Sequence, residues 1–126
     1  MNILEETQNL ITKYDLRPNS YVDEDAEFSK RYSPTNEEFK KMLIFAWSEK
    51  VVPNYSGIDL WNWPTKWVVV MIDFLSLLLQ DSPDFVIYNL KAKFGCLRAY
   101  IGNISTESQE AIDLLEEVLR DENLIY

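Results

Sequence analysis

The run WVVVMIDFLSLLL, Trp67 to Leu79, is the longest apolar stretch in the chain, thirteen residues with Asp73 near its middle. A helix that crosses a bilayer needs about 20 residues, so this run is read as a helix buried by the rest of its own chain. From Thr65 to Gln80 almost every position is apolar except Lys66, Asp73, Ser76 and Gln80, which recur at spacings of seven, three and four. Such a helix has one narrow wet stripe and must be wrapped on its other sides. With 126 residues, 47% hydrophobic and 13% aromatic, the chain has the material to do so as a single domain over residues 1–126, without disulfide or metal support.

The flanking segments supply the wrapping. Residues 2–14, NILEETQNLITKY, place Ile3, Leu4, Leu10, Ile11 and Tyr14 at helical spacing behind Asn2, a candidate N-cap. Asp15 to Pro34 holds two prolines and no sustained period, and reads as an irregular connection tied down by Tyr21, Phe28 and Tyr32. A helix is expected to start at Ser33-Pro34 and the capping box Thr35-x-x-Glu38, with Phe39, Met42, Leu43, Ala46 and Trp47 as its buried face and Val51-Val52-Pro53 as its stop. Pro64 is placed for the first turn of the central helix.

After the turn-forming DSPD, FVIYNLKAK and CLRAYI flank Phe94-Gly95 and predict one β-hairpin near residues 85–101, with Val86, Tyr88 and Leu90 on one face. A last helix enters through Ser105 and Thr106, where Thr106-x-x-Gln109 is a second capping box. It buries Ile112, Leu115, Val118 and Leu119. The expected fold is α+β, mostly helical, with about four helices and one hairpin.

The chemistry is restrictive. The chain has no histidine, one cysteine and three scattered glycines. Imidazole-based triads, Cys-x-x-Cys metal or redox sites, phosphate loops and dinucleotide-binding turns are therefore absent. No catalytic residue, cofactor or metal is assigned, and the chain is not expected to be an enzyme. Cys96 has Lys91, Lys93 and Arg98 around it in sequence, which could activate a thiolate. Beside a tight turn and without a histidine, it reads better as a small packing residue. The triplet Asp23-Glu24-Asp25 could hold a divalent cation, but it lacks the glycine and terminal glutamate of the calcium loop.

Charge indicates the partner class. Twenty-one acidic against twelve basic residues give a net charge of −9, so the expected partner is a basic protein, and no direct binding of nucleic acid or of a membrane is expected. Two acidic groups stand out. Glu107, Glu110, Asp113, Glu117 and Asp121 recur every three or four residues along the last helix, and Asp23, Glu24, Asp25 and Glu27 cluster in the early connection. Of the tryptophans Trp61, Trp63 and Trp67, Trp61 precedes the central helix and is the one expected at the surface. A lone cysteine, and no basic-plus-apolar leader before Glu5 and Glu6, point to the cytoplasm.

The segment KAKFGCLRAYIG resembles a K-E-K-F-G-G-L-R-F-Y block found in a group of small bacterial and phage proteins of mostly unknown function. Lys93, Phe94, Gly95, Leu97, Arg98 and Tyr100 match it, and Ala92, Cys96 and Ala99 depart from it. The resemblance covers roughly residues 58–120 and implies an aromatic-rich helix before the block and a short acidic helix after it. It transfers no catalytic residue. In general character the chain is also similar to immunity proteins that neutralise a toxin.

The expected function is that of an acidic inhibitor, an immunity protein that occludes the active site of a basic toxin nuclease domain. Glu110, Asp113, Glu117, Asp121, Asp23, Glu24, Asp25 and Glu27 would be the contact residues and Trp61 the anchor. The alternatives are a phage-type inhibitor of a host nucleic-acid enzyme, and a small carboxylate or metal-binding enzyme centred on Asp23 to Asp25.

Overall fold

The structure, a computed structural model, describes residues 2–18, 34–61 and 63–120. Helix α1 spans Ile3–Lys13, with Asn2 as its N-cap accepting the N–H groups of Leu4 and Glu5 at 3.0 and 3.2 Å. Helix α2 is Pro34–Trp47, followed by a 3-10 turn, Ser48–Lys50. Strand β1 is only Gly57–Ile58, and helix α3 spans Thr65–Asp81. Strands β2, Val86–Lys93, and β3, Cys96–Gly102, precede helix α4, Thr106–Val118. The fold is α+β.

The expected central helix is present and is surrounded. Trp67, Val68, Val70, Met71, Phe74, Leu75 and Leu78 of α3 are all buried. Helix α1 packs on α3 and α4, α2 packs on α3, and α4 packs on β3. The sheet contributes Ile87, Leu90, Leu97, Ala99 and Ile101 to the same core, and α4 contributes Ala111, Ile112 and Leu115. The wet stripe on α3 has a partner, since the Tyr14 hydroxyl donates to Asp73 at 2.6 Å. That contact pushes the Tyr14 hydroxyl up to about 12, the hydrogen bond to the carboxylate being the main cause and burial the second.

The sheet has the order β1-β2-β3. Strands β2 and β3 form the predicted antiparallel hairpin, and β1 adds in parallel to β2 with Gly57 opposite Asn89 and Ile58 opposite Leu90. A parallel neighbour needs a crossover, and α3 is that crossover. Two residues of strand give no periodicity, so β1 left no readable signal in the sequence. At the hairpin turn Phe94 and Gly95 both have positive φ, 53° and 76°, as a two-residue turn matched to strand twist requires. The outer edge of β3 is covered: the Leu97 N–H bonds the Leu119 carbonyl at 3.0 Å, Arg120 bridges Cys96, and the Ala99 N–H donates to Glu116 Oε2 at 2.9 Å.

Four local expectations are corrected. First, a bulge between Ile87 and Asn89 shifts the phase of β2, so Ile87 and Leu90 face the core while Val86 and Tyr88 do not share that face. Second, α2 is rotated from the expected register. Leu43 is buried, Phe39 and Trp47 are half-buried, and Met42 and Ala46 are exposed. Apolar residues occur on more than one side of α2, so packing selects the face, including Trp47 against Phe85 at a ring separation of 5.8 Å. The aliphatic stem of Lys40 is buried on that inner side, with its ammonium 3.6 Å from Glu37.

Third, the N-cap of α4 is Ser105, whose Oγ accepts the Ser108 N–H at 3.0 Å, so the cap lies one residue before Thr106. Fourth, α4 stops at Val118 with Leu119 as C-cap, so the helical carboxylate row holds four members and does not reach Asp121. The side chain of Thr35 in the first capping box, and Tyr21, Phe28 and Tyr32, lie outside the described residues.

Candidate functional site

The row on α4 is solvent-facing as expected: Glu107, Glu110, Asp113 and Glu117 are exposed. Asp113 Oδ1 accepts a hydrogen bond from Gln109 Nε2 at 3.0 Å, and none of the four forms an ion pair among the described residues. They leave a patch of negative potential on the helix surface. Asp121, Asp23, Glu24, Asp25 and Glu27 lie outside the described residues. Glu116, on the same helix, faces β3. Burial pushes its carboxyl up, while the Ala99 N–H and nearby Arg98 act in the opposite direction.

Trp61 is exposed, at 57%, whereas Trp63 and Trp67 are fully buried and meet edge to face with ring centroids 5.7 Å apart. The local reason is the turn before α3: Asp59 Oδ1 accepts the Trp61 N–H at 3.1 Å and tips Trp61 outward, and Pro64 then starts the helix. Trp61 sits beside α2, where it lines a groove of about 500 Å³ with Glu37, Lys40, Lys41, Ile44 and Leu60. The carboxylates of α4 are not among its neighbours there.

Sequence reasoning missed the exposed apolar side chains of α2. Met42, Ile44 and Phe45 of α2 are exposed at 59, 41 and 84%. Of these, Ile44 lines the groove with Trp61, whereas Met42, two positions away, faces another side of α2. The signal was present in the sequence, because MLIFAW cannot bury all its apolar positions on one helical stripe.

At the junction of α3 and α4, Asp81 accepts from the hydroxyls of Ser108, Ser105 and Ser82 at 2.5, 2.7 and 3.3 Å. These bonds, that to Ser108 foremost, hold its carboxyl below the usual carboxylate range. The cluster fixes one helix end to the next start. Cys96 is half-buried, and its Sγ donates to the Phe94 carbonyl at 3.7 Å. Among the described residues no three metal-ligating side chains converge, and no helix is long and apolar enough to cross a membrane. Comparison with protein-family models, with curated proteins and with solved structures finds no match for this chain.

Proposed function

We propose that this protein is a binding protein of the immunity type, which docks on a basic toxin nuclease domain in the bacterial cytoplasm and occludes its active site. The observation that carries the reading is the exposure of Met42, Ile44 and Phe45 on α2, with Trp61 beside Ile44, on a chain of net charge −9. Exposed aromatic and aliphatic side chains supply the desolvated centre of an interface, where a few residues dominate affinity. The acidic surface, with the α4 row as its most regular part, selects a basic partner and accelerates encounter. Trp61 remains the anchor, set among α2 side chains, and the carboxylates act through the long-range field.

The reading separates two effects. Met42→Ser with Phe45→Ser should weaken partner binding at least ten-fold, chiefly through faster dissociation, because truncating a hot-spot residue typically costs about 2 kcal/mol or more. Glu110→Lys with Glu117→Lys should slow association and flatten its salt dependence while leaving dissociation nearly unchanged. The partner is captured from the native host, identified, and assayed for nuclease activity with and without the protein. A captured partner that is acidic, or whose nuclease activity is untouched, refutes the proposal. Inhibition of a host nucleic-acid enzyme in place of a toxin would assign the protein to the phage type.

A further inference from the structure

The total charge conceals a segregated one. On the face of the sheet turned away from the core, the register places Lys93 opposite Cys96, Lys91 opposite Arg98, and Asn89 opposite Tyr100. The bridge from Cys96 to Arg120 adds that arginine to the same face beyond β3, because paired residues project to one side. Four of the chain's twelve basic residues thus share one small face, and none of the four forms an ion pair within 4 Å among the described residues. Neighbouring rows stand about 7 Å apart, two residues of strand. Among the described residues, Asp59, whose N–H bonds the Leu90 carbonyl, and Glu116 lie near; Asp59 also accepts the Trp61 N–H, and Glu116 the Ala99 N–H.

Tyrosines continue the surface. The bulge in β2 turns Tyr88 outward onto Gly102, where an added Cβ would lie 2.8 Å from the ring, so the ring rests directly on the backbone. Tyr55 meets Tyr88 edge to face at 4.9 Å, and Tyr100 is half-exposed on the next strand. These three line a pocket of about 300 Å³ with Asn89.

We infer that the open face of the sheet binds single-stranded nucleic acid, a base lying among Tyr55, Tyr88 and Tyr100, and successive phosphates meeting Arg98, Lys91, Lys93 and Arg120. Aromatic platforms beside a cationic track are what a single strand requires, and a duplex, with its bases stacked inside, cannot use the tyrosines. The repulsion from a net charge of −9 keeps affinity modest and confines binding to this face. The inference is independent of the proposed inhibitor role, which uses the α2 patch.

The test is fluorescence anisotropy with labelled oligothymidylate and oligouridylate of about 15 nucleotides, across about 50 to 200 mM salt. Binding is expected at low salt. Lys91→Ala with Arg98→Ala should lower the salt slope by about 1.4, since each phosphate no longer neutralised removes about 0.7. Tyr100→Ala should weaken binding about ten-fold and leave the slope intact. Met42→Ser with Phe45→Ser should change nothing here, so failure of either proposal is seen separately. Circular dichroism checks that each variant is folded. The inference is overturned if neither oligonucleotide binds at low salt, if Tyr100→Ala binds normally, or if a matched duplex or polyglutamate binds as well as the single strand. Equal binding of polyglutamate would identify the face as a dock for an acidic protein.

Discussion

Removing the carboxylate of Asp81 should unlatch α4 from α3. The carboxylate takes three serine hydroxyls, and of these Ser108 is fully buried, Ser82 nearly so, and Ser105 exposed. A hydrogen bond to a charged group contributes about 1.5–3 kcal/mol, but the Ser105 bond can be exchanged for water and the 3.3 Å Ser82 bond is weak. The buried hydroxyls of Ser82 and Ser108 lie 3.3 Å apart and can still satisfy one another in part. The net loss for Asp81→Ala is therefore about 2–3 kcal/mol, or a Tm lower by about 10 °C for a chain of this size. Asp81→Asn keeps one acceptor and should lose about half as much.

The pH dependence has a fixed sign. The folded carboxyl lies below its ordinary value of 3.8, so its stabilisation is complete above that value and is lost as pH falls through the lowered one. The gap between wild type and Asp81→Asn should stay constant from pH 7 to pH 5 and close only below about pH 4. Urea unfolding followed by tryptophan fluorescence measures it, Trp63 and Trp67 being wholly buried reporters. A loss under about 0.5 kcal/mol for Asp81→Ala, or strict additivity with Ser108→Ala, would refute the latch, because directly bonded groups should couple.

Glu116 has the opposite sign. Burial raises its carboxyl above 4.5, so its favourable contribution is present at lower pH and lost as pH rises through the raised value. Glu116→Gln retains an acceptor for the Ala99 N–H and should gain stability relative to wild type between pH 4 and pH 7, read by denaturant midpoints; a loss above about 1 kcal/mol at pH 7 contradicts this. Tyr14→Phe removes a 2.6 Å bond to Asp73 and should cost about 1–2 kcal/mol. In an absorbance titration the same change should delete one tyrosine that ionises near pH 12. Phe94, with φ 53° and 78% exposed, is a costly residue for its turn, and Phe94→Asn should hold or raise stability by about 0.5–1 kcal/mol in thermal melts.

The helices were legible because their signals are local. Asn2 before an apolar period, Pro64 before the central run and Phe94-Gly95 between β-rich segments act within a few residues of one another. The exposure of Trp61 was legible for the same reason. The face of α2, the bulge at Tyr88 and strand β1 were not. Each depends on a contact distant in sequence: α2 on α3 and Phe85, β1 on β2 beyond the whole of α3.

Sequence alone determined the sum of the charges, the absence of imidazole and of motif chemistry, and the need for one buried helix wrapped by the others, because these are properties of composition and of spacing along one chain. Only the tertiary structure decided where the charges stand. Strand register gathered Lys91, Lys93, Arg98 and Arg120 onto one face, and helix packing brought Ile44 and Trp61 to one groove and left Met42 and Phe45 exposed. A surface is made of side chains from distant segments, so its character is fixed by which segments meet.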